Sequence, residues 1–512
     1  MPEHLRALIV ILLLATTVFI FAKAPACAMA MKSDDFVRRR NLWIAITLIA
    51  FLAHNFWVYI IVAAVLLGFA APGEQNKLAM FFFLLFALPA ISVQITGLGV
   101  IEHFFAIHYV RLLTLVVLLP AFLYLPRKPD NERFGRTLPD KLIAGFLILN
   151  FSLQLSVDTL TNSVRNGVFY AFIDVFLPYY VASRSLRTLQ DFRDALMAFV
   201  IAAMVLGAIG VFEFTRGWLL YSALPGALGA SLDMGYLVRG MNLRAMATTG
   251  QPIPLGYVMA VAIGFSLYLR KSVPNQTHWH LGLILLLGGL IASLSRGPWI
   301  GAIVILLMFV ATGRSSGRSL VKFMVIGALF MPALFITPFG QSIIDHLPFI
   351  GSVEAENITY RQRLLEISIQ LIMQNPLFGS SDFYQAPAMQ ELRQGSGLID
   401  IVNTYVGIAL AHGLVGLTLF SGFFIAVGLA NFRSMRHLPD KSDDRHVLGQ
   451  ALLSTLLGIL VIIFTVSSIG IIPVVYWAVA GLCAAYVKMI TPATTRTADR
   501  FGSIRPATIM KQ

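Results

Sequence analysis

Arg296 lies in the string Ser293-Leu294-Ser295-Arg296-Gly297-Pro298-Trp299, between two apolar runs with almost no loop between them. A charge so close to hydrocarbon costs a few kcal/mol unless a partner meets it, so a working role is its default reading. The small residues around it let a helix or a ligand approach closely. A structural ion pair within the bundle is the competing reading. Seven other arginines, Arg165, Arg216, Arg239, Arg244, Arg361, Arg363 and Arg393, fall on the same face in the charge map below. No lysine joins them, although the chain holds 10 Lys beside 28 Arg. A planar guanidinium grips phosphate through two parallel hydrogen bonds, where an ammonium offers a point charge. The set therefore suits a phosphate-bearing substrate. Snorkelling to headgroups is the rival account, strongest for Arg165, Arg216 and Arg393.

Other chemistries find little support. The acidic groups Asp34-Asp35, Asp130-Asn131-Glu132 and Asp443-Asp444 lie in basic loops, and neither long outer loop has a D-x-D or paired-His pattern. No metal or cofactor is expected. There is no P-loop, and no G-x-G-x-x-G follows a strand. Cys27 and Cys483 stand far apart and imply no disulfide framework.

The elements that must position these arginines are membrane helices. Of 512 residues 57% are hydrophobic and 12% charged, with 38 Phe, too little polar surface for a water-soluble core. The apolar runs are 42–70, 78–95, 104–125, 142–157, 168–182, 195–212, 253–269, 281–294, 299–311, 323–336, 413–430, 451–466 and 471–487, with a further candidate at 5–22. Each is near the ~20 residues that cross a bilayer. The expected fold is an all-α polytopic integral membrane helix bundle of about 12–14 transmembrane helices with one large periplasmic loop. Run 5–22 also reads as a signal peptide, given the small residues after it.

Basic loops set the direction. Clusters at 127–141, 184–193, 270–271, 314–322, 433–445 and 488–511 mark the cytoplasmic side if every span from Leu142 onward alternates. The net charge of +13 has the same origin, and nucleic acid is not expected as a partner. The N-terminal third does not close, because three spans separate Arg38-Arg39-Arg40 from the loop at 126–141. Either run 42–70 breaks near His54-Asn55, or the three arginines face outward. Residues 1–41 form an N-terminal segment and 42–336 a helical region with an outer loop at 213–251. A large periplasmic loop follows at 337–400, then C-terminal spans at 401–490 and a cytoplasmic tail at 491–512. The large loop is too long for a connector. Within it Arg363, Leu364, Ile367, Leu371 and Ile372 recur at helical spacing, with a stop at Asn375-Pro376.

Ser295-Arg296-Gly297, the stretch from Arg361 to Gly379, Val402-Asn403-Thr404-Tyr405-Val406 and His412-Gly413-Leu414-Val415-Gly416-Leu417 together resemble the O-antigen ligase and polymerase superfamily. Arg244-Ala245 and Gly250-Gln251-Pro252 resemble its outer-loop motif, and the likeness runs in order from Arg184 to Leu417. The resemblance implies a metal-independent, glycosyltransferase-C-like enzyme of the inner membrane whose site faces the periplasm. Its partners would be an undecaprenyl-diphosphate-linked glycan, an acceptor glycan, membrane lipids, and other polysaccharide assembly and export proteins. Arg244, Arg296 and Arg361 fall on the family's arginine positions, with Arg363 a near alternative for the last. The ligases place a His directly before the Asn of the H-N pair, where this chain has Val402. A general base must then be sought elsewhere: Asp400 first, His412 second, Glu391 third. Asp400 reads equally as a cap for the helix starting near Val402. The expected catalytic set is Arg244, Arg296, Arg361 and Asp400, with Arg239, Arg363, Asn403, Tyr405 and His412 binding substrate. Polymerisation of an exopolysaccharide or O-antigen repeat is the favoured activity. Ligation of finished glycan to lipid or protein is the near alternative, and a lipid-linked oligosaccharide flippase the alternative of another class.

Overall fold

The computed structural model describes residues 1–99, 102–127, 132–230, 235–273, 275–313, 355–393 and 399–491. The expected span at 323–336, the basic cluster at 314–322, much of the large loop and residues 492–512 lie outside them. The described chain is an all-α membrane bundle, with two small β-hairpins as its only sheet among these residues. Eight of its helices are long and apolar enough to cross a bilayer, and three apolar ones are shorter.

Helix α1 (Glu3–Met29) packs Ala7, Ile11, Ala15, Phe19 and Ala22 into the bundle. Run 42–70 is broken: α2 (Ser33–Leu52) ends before His54, and Asn55 caps α3 (Phe56–Ala70) by accepting from the Trp57 and Val58 N–H groups. Runs 78–95 and 104–125 differ from expectation at their facing ends. Helix α4 (Lys77–Leu84) gives way before Pro89, which disfavours helix in the residue preceding it. The chain then forms an antiparallel hairpin of β1 (Val93–Thr96) and β2 (His103–Ile107) before α5 (Tyr109–Arg127). Alternating β-branched and polar residues in β1 suit a strand better than a helix.

Helix α6 (Leu138–Val157) starts at a Thr137 cap, and α7 (residues 160–185) contains π-helical stretches at Val164–Tyr170 and Phe172–Phe176. Helix α8 (Leu189–Arg216) opens on a Thr188–Asp191 capping box and closes at Gly217. Then come α9 (Pro252–Leu269), α10 (Gln276–Ala292), α11 (Arg296–Thr312) and α12 (Ala355–Gln374). The C-terminal part is α13 (Thr404–Arg436), α14 (Asp444–Thr465) and α15 (Ile472–Ile490).

Polar contacts sort the helix ends into two groups. At one end Arg39 is clamped between Glu74 at 2.8 Å and Asp194 at 2.6 Å, and Arg184 pairs with Asp140 at 2.7 Å. Arg193 meets Asp444 there, and Lys271 donates to the Ser442 carbonyl. Burial alone would push Glu74 up, but the Arg39 and Arg38 guanidinium groups override it and hold its carboxyl below the usual range. At the other end the Trp218 indole donates to Glu3, the Phe56 N–H to the Leu228 carbonyl, and Arg165 to the His103 carbonyl. The break at 53–55 therefore makes α2 and α3 a hairpin. The count closes with Arg38, Arg39 and Arg40 at the basic end, beside Asp194.

Candidate active site

The arginine turn is built where α10 hands over to α11. Leu294 takes a left-handed φ of 45°, rare for a branched side chain, and the Trp299 indole donates back to the Leu290 carbonyl to hold the turn. Onto this turn comes a second hairpin, β3 (Val238–Arg239) paired with β4 (Asn242–Leu243), from the loop that follows α8. Arg239 donates to the Leu294 carbonyl. Arg244 reaches the Ser293 carbonyl through Nε at 3.4 Å and the Ser295 hydroxyl through Nη2 at 3.0 Å. Three arginines, 239, 244 and 296, thus gather around four residues of backbone, all half-buried.

Glu213 holds this loop in place, a role that sequence reading missed. Its buried carboxylate accepts from the N–H groups of Leu220, Met246 and Ala247, at 3.0, 3.0 and 2.8 Å. An acid inside the last turns of an apolar helix is the sequence signal for it. The Ala245 N–H then joins the Ala292 carbonyl at 3.0 Å, locking the loop to α10.

Asp400 reaches the same region from the other side. A Cβ at Gly297 would meet Thr465 at 2.4 Å, so α11 and α14 touch closely just beyond Arg296. From there Val466 accepts from both the N–H and the hydroxyl of Thr404, and Ser467 donates to the Asp400 carboxylate at 2.7 Å. The Tyr360 hydroxyl bridges the Asp400 backbone, at 3.1 Å to its carbonyl and 3.2 Å from its N–H. This brings the Tyr360 end of α12 against Asp400, with exposed Arg361 one residue on. Burial, and then the Asp400 carboxylate and Tyr360, push the Tyr384 phenol above its usual value.

Asp400 is not the helix cap. That role belongs to Asn403, whose side-chain carbonyl accepts from the Tyr405 and Val406 N–H groups. Tyr405 turns down along α14 to the Leu460 carbonyl, at 3.2 Å. His412 binds Asn150 of α6 at 2.9 Å against the Phe146 ring. Arg363 pairs with Glu391 at 2.9 Å in an exposed bridge, which occupies the third base candidate.

The expected span 413–430 is the lower part of a longer, interrupted helix. Gly413 sits at φ 63°, ψ −167°, and the strand of chain at 376–380 crosses the break. Leu414 and Val415 donate to the carbonyls of Pro376 and Leu377, while Ser380 donates to the Leu410 carbonyl. An interrupted helix at membrane depth is tolerated where neighbouring backbone satisfies the freed groups, as it does here. A Cβ at Gly413 would lie 2.2 Å from the Leu377 oxygen, and one at Gly379 would lie 2.4 Å from the Leu410 oxygen. The stop at Asn375-Pro376 and the His412-Gly413 motif are thus two halves of one joint.

Residues 281–421 match the sequence model of the O-antigen ligase family. That stretch is similar to the O-antigen ligase domain. The matched segment, just over a quarter of the chain, contains Arg296, Arg361, Arg363, Asp400 and the whole Gly413 joint. Arg239 and Arg244 lie upstream and join that segment through the contacts to Ser293, Leu294 and Ser295. No curated protein matches the chain. Among the described residues, no three His, Cys, Asp or Glu side chains gather as a metal-binding set.

Proposed function

We propose that this protein transfers glycan from undecaprenyl-diphosphate-linked repeats at the periplasmic face of the inner membrane, polymerising an exopolysaccharide or O-antigen. The observation that carries the reading is the meeting of Arg239 and Arg244 with the Arg296 turn inside a stretch similar to the O-antigen ligase domain. An acceptor hydroxyl attacks the anomeric carbon; its C–O bond forms as the bond from that carbon to the diphosphate oxygen breaks. The leaving diphosphate keeps the electron pair, and fixed guanidinium groups stabilise its growing charge. Arg244, Arg296 and Arg361 fill that role. The proton of the hydroxyl passes to Asp400, held by Ser467 beside the same face.

Val402 favours polymerisation over ligation, because it stands where the ligases carry the His before Asn. The test is the lipid-linked glycan of a deletion strain. Single repeats on undecaprenyl diphosphate should accumulate on the periplasmic side. Long lipid-linked polymer would mean a ligase, and cytoplasmic accumulation a flippase.

A further inference from the structure

A cavity of about 180 Å³ opens between the stretch that follows α4, the start of α5, α7 and the loop that follows α14. Its polar lining is His108, Arg111, Asp174, Thr248 and Thr249, and its walls include Phe86, Ala90, Gly470 and Pro473. Arg111 and Asp174 stand in two apolar runs, where a paired charge usually marks a working site. Two loops connect the cavity to the transfer site. Thr248 and Thr249 lie four and five residues beyond Arg244, in the 3-10 turn Ala247–Thr249, and Gly470 follows Ser467, which holds Asp400.

The chemistry of the lining selects the ligand. Arg111 donates to Asp174 through Nε at 3.1 Å and Nη2 at 2.8 Å, and to the Ala106 carbonyl at 2.8 Å. Its guanidinium also lies 3.5 Å over the Tyr170 ring. The cation is committed on every side, and the pair is neutral as a unit, so phosphate gains nothing here. Among the described residues Asp174 Oδ1 carries one long contact, at 3.4 Å, and keeps lone pairs for a donor. The His108 Nδ1 accepts from the Arg111 N–H, which leaves the ring proton on Nε2 as a donor. A strong acceptor, a neutral donor and an apolar wall suit a hydroxyl-bearing ring with a C–H face. The volume falls below the ~300–1,000 Å³ typical of sites for larger ligands, so one ring fits and a whole repeat does not.

We propose that this cavity binds one uncharged sugar ring of the acceptor glycan, with Asp174 and His108 as its hydrogen-bonding groups. The donor is excluded because its first sugar must stay with its diphosphate at the arginines. The assignment rests on the glycosyl-transfer reading above.

The test uses the full-length protein in nanodiscs with undecaprenyl-diphosphate repeats as donor and the lipid-free repeat oligosaccharide as acceptor. Ala90→Phe blocks the cavity from an exposed position that folding tolerates, and Asp174→Asn removes the acceptor charge. Each should raise the KM for acceptor at least ~10-fold and leave the KM for donor unchanged, as expected when a site loses hydrogen bonds to a hydroxyl. Saturation-transfer NMR of the oligosaccharide without donor gives a second readout, lost in Ala90→Phe. If wild type binds the sugar but transfers nothing, the cavity stands and the polymerase reading fails. If wild type transfers and both variants keep the acceptor KM, or raise the donor KM instead, the cavity assignment is overturned. Absence of sugar binding to wild type overturns it as well.

Discussion

Arg244→Lys separates a phosphate fork from generic positive charge. Arg244 spreads two nitrogens over the turn, Nε toward the Ser293 carbonyl and Nη2 toward the Ser295 hydroxyl. A lysine brings one nitrogen to the same place, so at least one charge-assisted hydrogen bond is lost, whether to the turn or to the diphosphate that the turn presents. Such a bond is worth ~1.5–3 kcal/mol. At ~1.4 kcal/mol per decade of rate, turnover should fall ~10- to 100-fold while the charge is retained. Polymer yield is measured alongside protein level in the membrane fraction, so that poor folding is not read as lost chemistry. Arg393→Lys is the control. Its side chain is exposed and donates to the Gln390 amide oxygen at 2.6 Å, so its loss costs ~1 kcal/mol or less. Full polymer output from Arg244→Lys at normal membrane level would refute the fork and leave Arg244 as an anchor of the loop.

Arg296→Lys should also lower output at least ~10-fold at normal expression, because the end of an apolar helix leaves little water to replace a lost contact. Gly413→Ala should destabilise the protein by more than the ~1–3 kcal/mol of strain alone, read as a lower midpoint in a thermal size-exclusion assay, since its Cβ would lie 2.2 Å from the Leu377 oxygen. Glu74, whose folded pKa is held below its ordinary 4.5, contributes stability that is present above that value and lost as pH falls through the lower one. Glu74→Gln should flatten this acid limb in unfolding measured across pH. Reporters fused near Gly240 and at the N-terminus should both read periplasmic and one at Lys441 cytoplasmic, because Glu3 meets Trp218 while Ser442 meets Lys271.

What the sequence by itself determined was the kind of protein, an all-α polytopic membrane bundle. Composition and run length report transfer to hydrocarbon, a property of each segment alone, so the helical bundle was legible without any contact. The spacing of Leu364 and Ile367 likewise disclosed α12, because both are buried against Met389 and Ile401 along one face. Three features needed the tertiary structure. The ends of runs 78–95 and 104–125 became a hairpin because two strands satisfy each other's backbone, a pairing that neither run encodes alone. The interruption of α13 at Gly413 depends on carbonyls of Pro376 and Leu377, more than thirty residues earlier. The Arg111–Asp174 pair was hidden for the same reason, since each charge looked isolated within its own apolar run. Hydrophobicity is additive along a chain and can be read from it, whereas hydrogen-bond partners across helices exist only once the helices are packed.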